Sequence, residues 1–244
     1  MTSDQRVLAI IQKITVDDVK EGSKAFVKNE RRGYIYPDAI NKVQSNFGRP
    51  DKISEGIADL LRGWHNSFYR FGSFNEVEIL ASVGRCHTEL CGLRAKNIRD
   101  VKLDTDFEAQ IGPIFRSFLD ATAGKNRRSA ARTVTGTSKS LSLLAPALFP
   151  MCDRAISQAY GCWWADDSDF GFIEYTKFMK YMKALVEQLV GEYARTHRIG
   201  DLNRAETLLV GEVKAYSGDR YQYNKSLLKT IDEYNYAKYT EGWC

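Results

Sequence analysis

Apolar residues recur every three or four positions over much of the chain, which is the pattern of helices that bury one face. The clearest run extends from Phe172 to Tyr193 and places lysines outside its apolar stripe. Period-two alternation is scarce, and Gly33–Pro37 is too short to indicate a strand. The same helical spacing predicts further helices over Gln5–Ile14, Thr15–Val27, Ile53–Phe71, Glu76–Leu93, Asp106–Thr122, Asp201–Gly211 and Ser226–Tyr239. The pattern therefore predicts an all-α fold.

Side chains that cap helices support several of these boundaries. Thr15 and Asp18 have the spacing of a capping box, with Asp in place of the usual Glu. Asp201 precedes an apolar run and is a candidate N-cap. These residues predict where two of the helices begin.

Length and composition exclude several classes of protein. The chain has 244 residues, of which 43% are hydrophobic and 27% charged, as in a folded globular protein rather than a disordered one. It lacks an apolar run of the roughly 20 residues that a membrane-spanning helix needs. The N-terminus does not resemble a signal peptide, and five scattered cysteines form no disulfide framework. We therefore expect a cytoplasmic protein without a membrane partner.

The net charge of +4 is concentrated in one part of the chain. Between Asp120 and Asp153 there is no acidic residue, whereas the rest of the chain carries 30 bases against 31 acids. The next stretch, 155–176, has no base. Two interpretations remain open: solvated loops of opposite sign, or a basic surface for a polyanion. The bases are Lys125, Arg127, Arg128, Arg132 and Lys139; the acids are Asp166, Asp167, Asp169 and Glu174.

The basic window continues into a segment that reads as a turn, a helix, a proline-bounded turn and a second helix. We expect Thr137 or Ser138 to cap the first helix, with free N–H groups near Gly136 suited to a phosphate. The helix should stop before Pro146. Asp153 then falls near the first turn of the second helix, where a carboxylate is favoured.

This segment resembles the helix-hairpin-helix DNA glycosylase superfamily over about 30 of the 244 residues. The residues that carry the resemblance are Val134-Thr135-Gly136-Thr137-Ser138-Lys139, which match the hairpin and its lysine, and Asp153, which matches the essential carboxylate. Gly161, after Ala159-Tyr160, fits the end of the helix that carries the carboxylate. The four-cysteine iron–sulfur cluster of the family has no counterpart, so no cofactor is implied.

The resemblance implies a two-lobed helical fold with a cleft between the lobes. Residues 1–48 would pack with the C-terminal lobe, 49–145 would form a central lobe ending in the hairpin, and 146–244 would form the C-terminal lobe. It also implies that Asp153 is catalytic and that Lys139 lies in the same cleft, either attacking the sugar or contacting a phosphate. We favour the simpler, monofunctional activity.

Other residues take roles under the same resemblance, each beside a plainer alternative. Lys125, Arg127, Arg128 and Arg132, with Gly136, Thr137 and Ser138, would contact the backbone of double-stranded DNA, although basic loops are common. Trp163, Trp164 and Phe149 would stack on a flipped base, although core packing is the commoner role of such residues. The acidic loop is either solvated or a cation site. We expect no metal and a monomer.

The leading hypothesis is a DNA glycosylase that flips a damaged or modified base and leaves an abasic site. Defence against phage DNA that carries modified bases is one role within this hypothesis. The alternative is a helical DNA-binding or interaction protein without catalysis. A helical nuclease with a metal on the acidic loop is a third hypothesis.

Overall fold

Helices make up most of the chain, as the sequence predicts. The computed structural model describes residues 2–64, 69, 74–125, 130–163 and 168–244. None of the helices in these ranges is long and apolar enough to cross a membrane. The helices are α1 Ser3–Ile11, α2 Val16–Asn29, α3 Ile35–Ser45, α4 Pro50–Trp64, α5 Glu76–Arg94, α6 Thr105–Ala121, α7 Val134–Leu144, α8 Arg154–Ala159, α9 Ser168–Thr196, α10 Leu202–Ser217 and α11 Leu227–Asn235, which a π-helix at Tyr236–Thr240 extends.

Polar side chains fix the starts of the helices. Thr15 and Asp18 form the predicted capping box at the start of α2. The Asp201 carboxylate accepts from two backbone N–H groups and caps α10, also as predicted. Each cap satisfies N–H groups that have no partner within the helix.

Helix α3 is an element that the sequence reasoning did not predict. It begins at Ile35, inside the stretch Gly33–Pro37. Pro37 sits in its first turn, where the missing N–H costs nothing because that group has no partner within the helix. Ile40 and Val43 then continue the buried face. A proline in the first turn is compatible with a helix, although in the sequence it resembles an interruption.

A short antiparallel pair of strands joins α6 to α7. Strand β1 covers Gly124–Lys125 and strand β2 covers Ala130–Ala131, with Gly124 opposite Ala131. The first base of the basic window, Lys125, therefore lies on this connection. Arg127 and Arg128 lie outside the described residues.

Helix α7 lies at the centre of the packing. It contacts α3, α4 and α6, and every one of its residues is buried. Helices α1 and α2 pack against α9, α10 and α11, whereas α3 packs on α4 and α7. The first 48 residues thus contact the C-terminal helices and also the central helices α4 and α7. The division into two lobes with a cleft stays a prediction.

Candidate functional site

The segment singled out by the sequence begins with a different cap from the one predicted. The hydroxyl of Thr133 accepts the backbone N–H of Gly136 at 3.3 Å, and α7 starts at the next residue, Val134. The expectation that Thr137 or Ser138 caps the helix is therefore wrong. Thr133 takes the extended backbone that an N-cap needs, so the helix runs straight through Gly136.

Burial of the same residues contradicts their expected contact with a phosphate. Gly136, Thr137 and Ser138 are all buried, and the Thr137 hydroxyl donates to the backbone carbonyl of Thr133 at 3.0 Å. A Cβ atom on Gly136 would lie 2.9 Å from Thr133 Cγ2 and 3.0 Å from the hydroxyl of Tyr69. These residues serve close packing inside the protein.

Ser138 instead connects α7 to the loop that leads to Asp153. Its Oγ accepts the backbone N–H of Cys152 at 3.2 Å, and its own O–H lies within reach of the carbonyls of Thr135 and Cys152. The hydroxyl of Tyr175 donates to the carbonyl of Pro150 at 3.0 Å. These bonds hold the loop in place next to α7.

Asp153 lies where the sequence predicts, at the N-cap of α8. Its Oδ1 accepts the backbone N–H of Ile156 at 2.9 Å, and its Oδ2 accepts the hydroxyl of Thr240 at 2.7 Å. The side chain is half-buried, so it retains access to solvent. Gly161 follows α8 with a φ of 64°, a left-handed conformation that glycine adopts without strain.

Lys139 does not extend to the surface. It is 8% exposed, and its Nζ donates to the backbone carbonyl of Trp64, at the end of α4, at 3.0 Å. Burial lowers the pKa of Lys139 from 10.5 to about 8, although the negative charges of Asp153 and Asp232 act to raise it. In this position Lys139 cannot contact a phosphate as expected, because its amine donates to a carbonyl inside the protein.

Three positively charged groups lie near the ring of Trp64. Lys139 Nζ lies 5.6 Å from its centroid, Lys229 Nζ 5.3 Å and the Arg32 guanidinium carbon 5.5 Å. Phe26 stacks on the same indole with a centroid separation of 5.6 Å. The face of an aromatic ring attracts cations, which favours this grouping inside the protein.

Sequence reasoning missed the carboxylate that accompanies this group. Asp232 lies 2.7 Å from Lys229 Nζ, and both side chains are buried. Burial raises the pKa of Asp232, and the nearby Lys229 and Lys139 act to lower it. Lys229 and Asp232 are three positions apart on a helix, a spacing that also occurs on exposed faces, so their burial cannot be predicted from the sequence.

The basic window is only partly described. Arg132 forms an ion pair with Asp120, with Nε 2.7 Å from Oδ1, at an exposed position. Lys125 lies in β1, and its side chain is outside the described part, as are Arg127 and Arg128. Their predicted contact with DNA stays a prediction, and Arg132 would have to exchange Asp120 for a phosphate.

The aromatic residues expected to hold a base are dispersed. Phe149 is 1% exposed and belongs to the core, which contradicts its expected place in a base pocket. Trp163 is 73% exposed, and its backbone N–H donates to Glu174 at 2.6 Å. Trp164 lies outside the described residues. The aromatic ring beside Lys139 is that of Trp64, which the sequence places only on the apolar face of a helix.

The acidic loop shows no metal site in its described part. Asp169 pairs with Arg116 across 3.0 Å, while Asp166 and Asp167 lie outside the described residues. Within the ranges that the structure covers, no group of three or more His, Cys, Asp or Glu side chains could hold a metal ion.

A groove of about 680 Å³ opens elsewhere on the molecule. Its walls include Arg94 of α5, Glu206 and Lys214 of α10, and Pro146. Neither Lys139 nor Asp153 lines it. The groove is therefore separate from the candidate site.

The candidate site thus consists of a half-buried carboxylate and a buried amine of lowered pKa on neighbouring elements. Asp153 is placed by the cap of α8, and Lys139 by the carbonyl that ends α4. No family model, curated protein or solved structure matches the chain.

Proposed function

We propose that the protein is a DNA N-glycosylase that uses Asp153 as its essential carboxylate. One observation carries the proposal: the Asp153 carboxylate reaches solvent, has a fixed donor on each oxygen, and acts electrostatically on the buried amine of Lys139. The sequence resemblance around these two residues supports the same activity.

The chemistry follows from the carboxylate. The target base first leaves the helical stack and enters a pocket. As the bond between C1′ and the base nitrogen breaks, its electron pair leaves with the base, which takes up a proton from solvent. Positive charge develops on the deoxyribose, and an ionised carboxylate beneath the sugar stabilises it. Water then adds to C1′ and loses a proton to Asp153, leaving an abasic site.

Lys139 takes a supporting role in this proposal. Its amine donates to the carbonyl of Trp64 and is buried, so an attack on C1′ would require it to leave that position. We therefore propose monofunctional hydrolysis. With a pKa of about 8, part of the amine is neutral at pH 8, so a borohydride trap would detect an imine if one formed. We expect no covalent protein–DNA product; such a product at Lys139 would contradict the monofunctional mechanism.

Double-stranded DNA is the proposed partner, and the connection between α6 and α7 is its proposed contact. The connection carries Lys125, Arg127 and Arg128 in sequence, and Arg132 follows at the end of β2. Bases on a connection between two helices suit contact with phosphates, which positions a duplex without reading its sequence. DNA with modified bases, including phage DNA, belongs among the substrates to test.

The proposal is tested by comparing the protein with its Asp153→Asn variant on a panel of damaged and modified DNAs. Asn also caps helices well, so α8 is retained. We expect base release, revealed by alkaline strand cleavage, to fall by at least about a hundredfold, with DNA affinity within about twofold. If the unaltered protein leaves every DNA intact, including phage DNA with hypermodified bases, the proposal fails.

A second candidate function is DNA binding without catalysis. The observation that favours it is that Lys139 and Ser138 already have complete structural roles, one at the end of α4 and one on the loop before Asp153. In that case there is no base release for Asp153→Asn to abolish. Only substitutions at Arg127 and Arg128 would then change the behaviour of the protein toward DNA.

A further inference from the structure

Thr240 lies beside Asp153 although 87 positions separate the two residues. Its hydroxyl donates to Asp153 Oδ2 at 2.7 Å, while the backbone N–H of Ile156 donates to Oδ1 at 2.9 Å. One donor thus comes from the helix that Asp153 caps, and the other from the C-terminal segment. Together they fix the plane of the carboxylate.

The π-helix brings Thr240 to this position. The backbone N–H of Glu241 donates to the carbonyl of Tyr236 at 3.1 Å, which closes a turn one residue wider than that of an α-helix. Such turns are rare and occur frequently at functional sites. The turn continues α11 and contacts both α2 and α8.

Aromatic side chains anchor the turn on both sides. The hydroxyl of Tyr236 lies 3.1 Å from a Glu30 carboxylate oxygen and 2.9 Å from one of Glu241. The ring of Tyr239 packs edge-on against Tyr160, the residue that ends α8, with centroids 5.8 Å apart. The backbone that carries Thr240 is therefore held to the same helix that carries Asp153.

We propose that Thr240 is a positioning residue for Asp153. The inference rests on the proposed function: the hydroxyl sets the orientation in which the carboxylate faces the sugar and the attacking water. A carboxylate oxygen accepts more than one hydrogen bond, so Oδ2 retains capacity for that water. Thr240 contacts the carboxylate and does not itself need to contact the substrate.

The test compares Thr240→Val, which replaces the hydroxyl by a methyl group of similar size, with Thr240→Ser, which restores it. Thr207→Val is the matched control, because Thr207 is also exposed and its hydroxyl bonds only within α10. Three quantities are measured: single-turnover base release, DNA affinity, and the rate at which a carbodiimide and an amine label Asp153, followed by mass spectrometry. The labelling rate requires no enzymatic activity.

We expect Thr240→Val to slow base release about tenfold to a hundredfold, with DNA affinity unchanged. Asp153 should be labelled several times faster, because Oδ2 loses its donor. Thr240→Ser should restore both rates, and Thr207→Val should leave them unaltered. Unchanged labelling in Thr240→Val would overturn the inference, as would unchanged base release. If the unaltered protein releases no base, the proposed function fails separately, and the labelling rate still decides whether Thr240 orients Asp153.

Discussion

At the scale of single residues, the amine of Lys139 is a charge placed where water is largely excluded. Desolvation disfavours its protonated form, which accounts for the lowered pKa of about 8. The carbonyl of Trp64 accepts its hydrogen bond, and the negative charges of Asp153 and Asp232 act to raise the pKa. The residue therefore changes charge close to physiological pH, unlike an exposed lysine.

The lowered pKa predicts how stability depends on pH. Between the folded value of about 8 and the unfolded value of 10.5, the unfolded chain binds more protons, so the free energy of unfolding rises with pH. Lys139→Met removes this contribution. From pH 7.5 to 9.5, we expect the unaltered protein to gain about 2 kcal/mol relative to the variant in urea unfolding. If the difference in free energy of unfolding between the two proteins does not change with pH, the lowered pKa is contradicted.

Single residues also show what the sequence could predict. The position of Asp153 at the start of a helix can be predicted, because helix starts depend on neighbours along the chain. The acceptor of Lys139 lies 75 positions away, and the packing of Lys229 and Asp232 on Trp64 depends on tertiary structure. Local patterns carry no information about contacts of that kind.

At the scale of elements, α7 and the loop before α8 form one structural unit. The helix is buried over its whole length. The Ser138 hydroxyl accepts the backbone N–H of Cys152 and lies within hydrogen-bond distance of the carbonyl oxygen of the same residue. Asp153 follows directly. The position of the proposed catalytic carboxylate therefore depends on a hydroxyl inside α7.

This arrangement predicts unequal effects for two neighbouring serines. Ser138→Ala leaves a buried backbone N–H without its partner, and we expect a loss of about 1 to 3 kcal/mol in the free energy of unfolding. Ser140 is the control: it is equally buried, but its hydroxyl bonds only to the carbonyl of Gly136 in the same helix. Ser140→Ala should cost less than about 1 kcal/mol. Equal losses in urea unfolding would contradict the role given to Ser138.

Helix boundaries were predicted less well than the existence of helices. Periodicity identified most of the helices in the described ranges, because an apolar stripe persists over several turns. The start of α7 was placed too late because Thr133, Thr137 and Ser138 are all competent caps by residue type. Helix α3 was missed because Pro37 resembles an interruption when the burial around it is unknown.

At the scale of the whole molecule, the excess of positive charge falls on the connection between α6 and α7. Residues 121–152 contain no acid, but Arg132 already has an acidic partner in Asp120, outside that window. The proposed DNA contact is therefore less positive than the sequence alone suggests. The sequence located the charge, and only the structure showed the ion pair.

The charge distribution predicts a salt dependence of DNA binding. Each phosphate contact contributes about 0.9 to the slope of log affinity against log salt concentration, so Arg127→Ser with Arg128→Ser should reduce the slope by about 2. Arg195→Ser with Arg198→Ser is the control, since it removes the same charge from exposed positions near the end of α9. Fluorescence anisotropy over a salt series measures the slope for each double variant. Equal slopes for the two double variants would contradict a local contact.

The most direct test of the central claim is a mass spectrum of the free bases released from diverse DNAs, including phage DNA, by the unaltered protein and by Asp153→Asn. The account predicts a free base in the first spectrum and its loss in the second, with DNA binding retained. The absence of any free base from the unaltered protein, or equal release by both proteins, would contradict it.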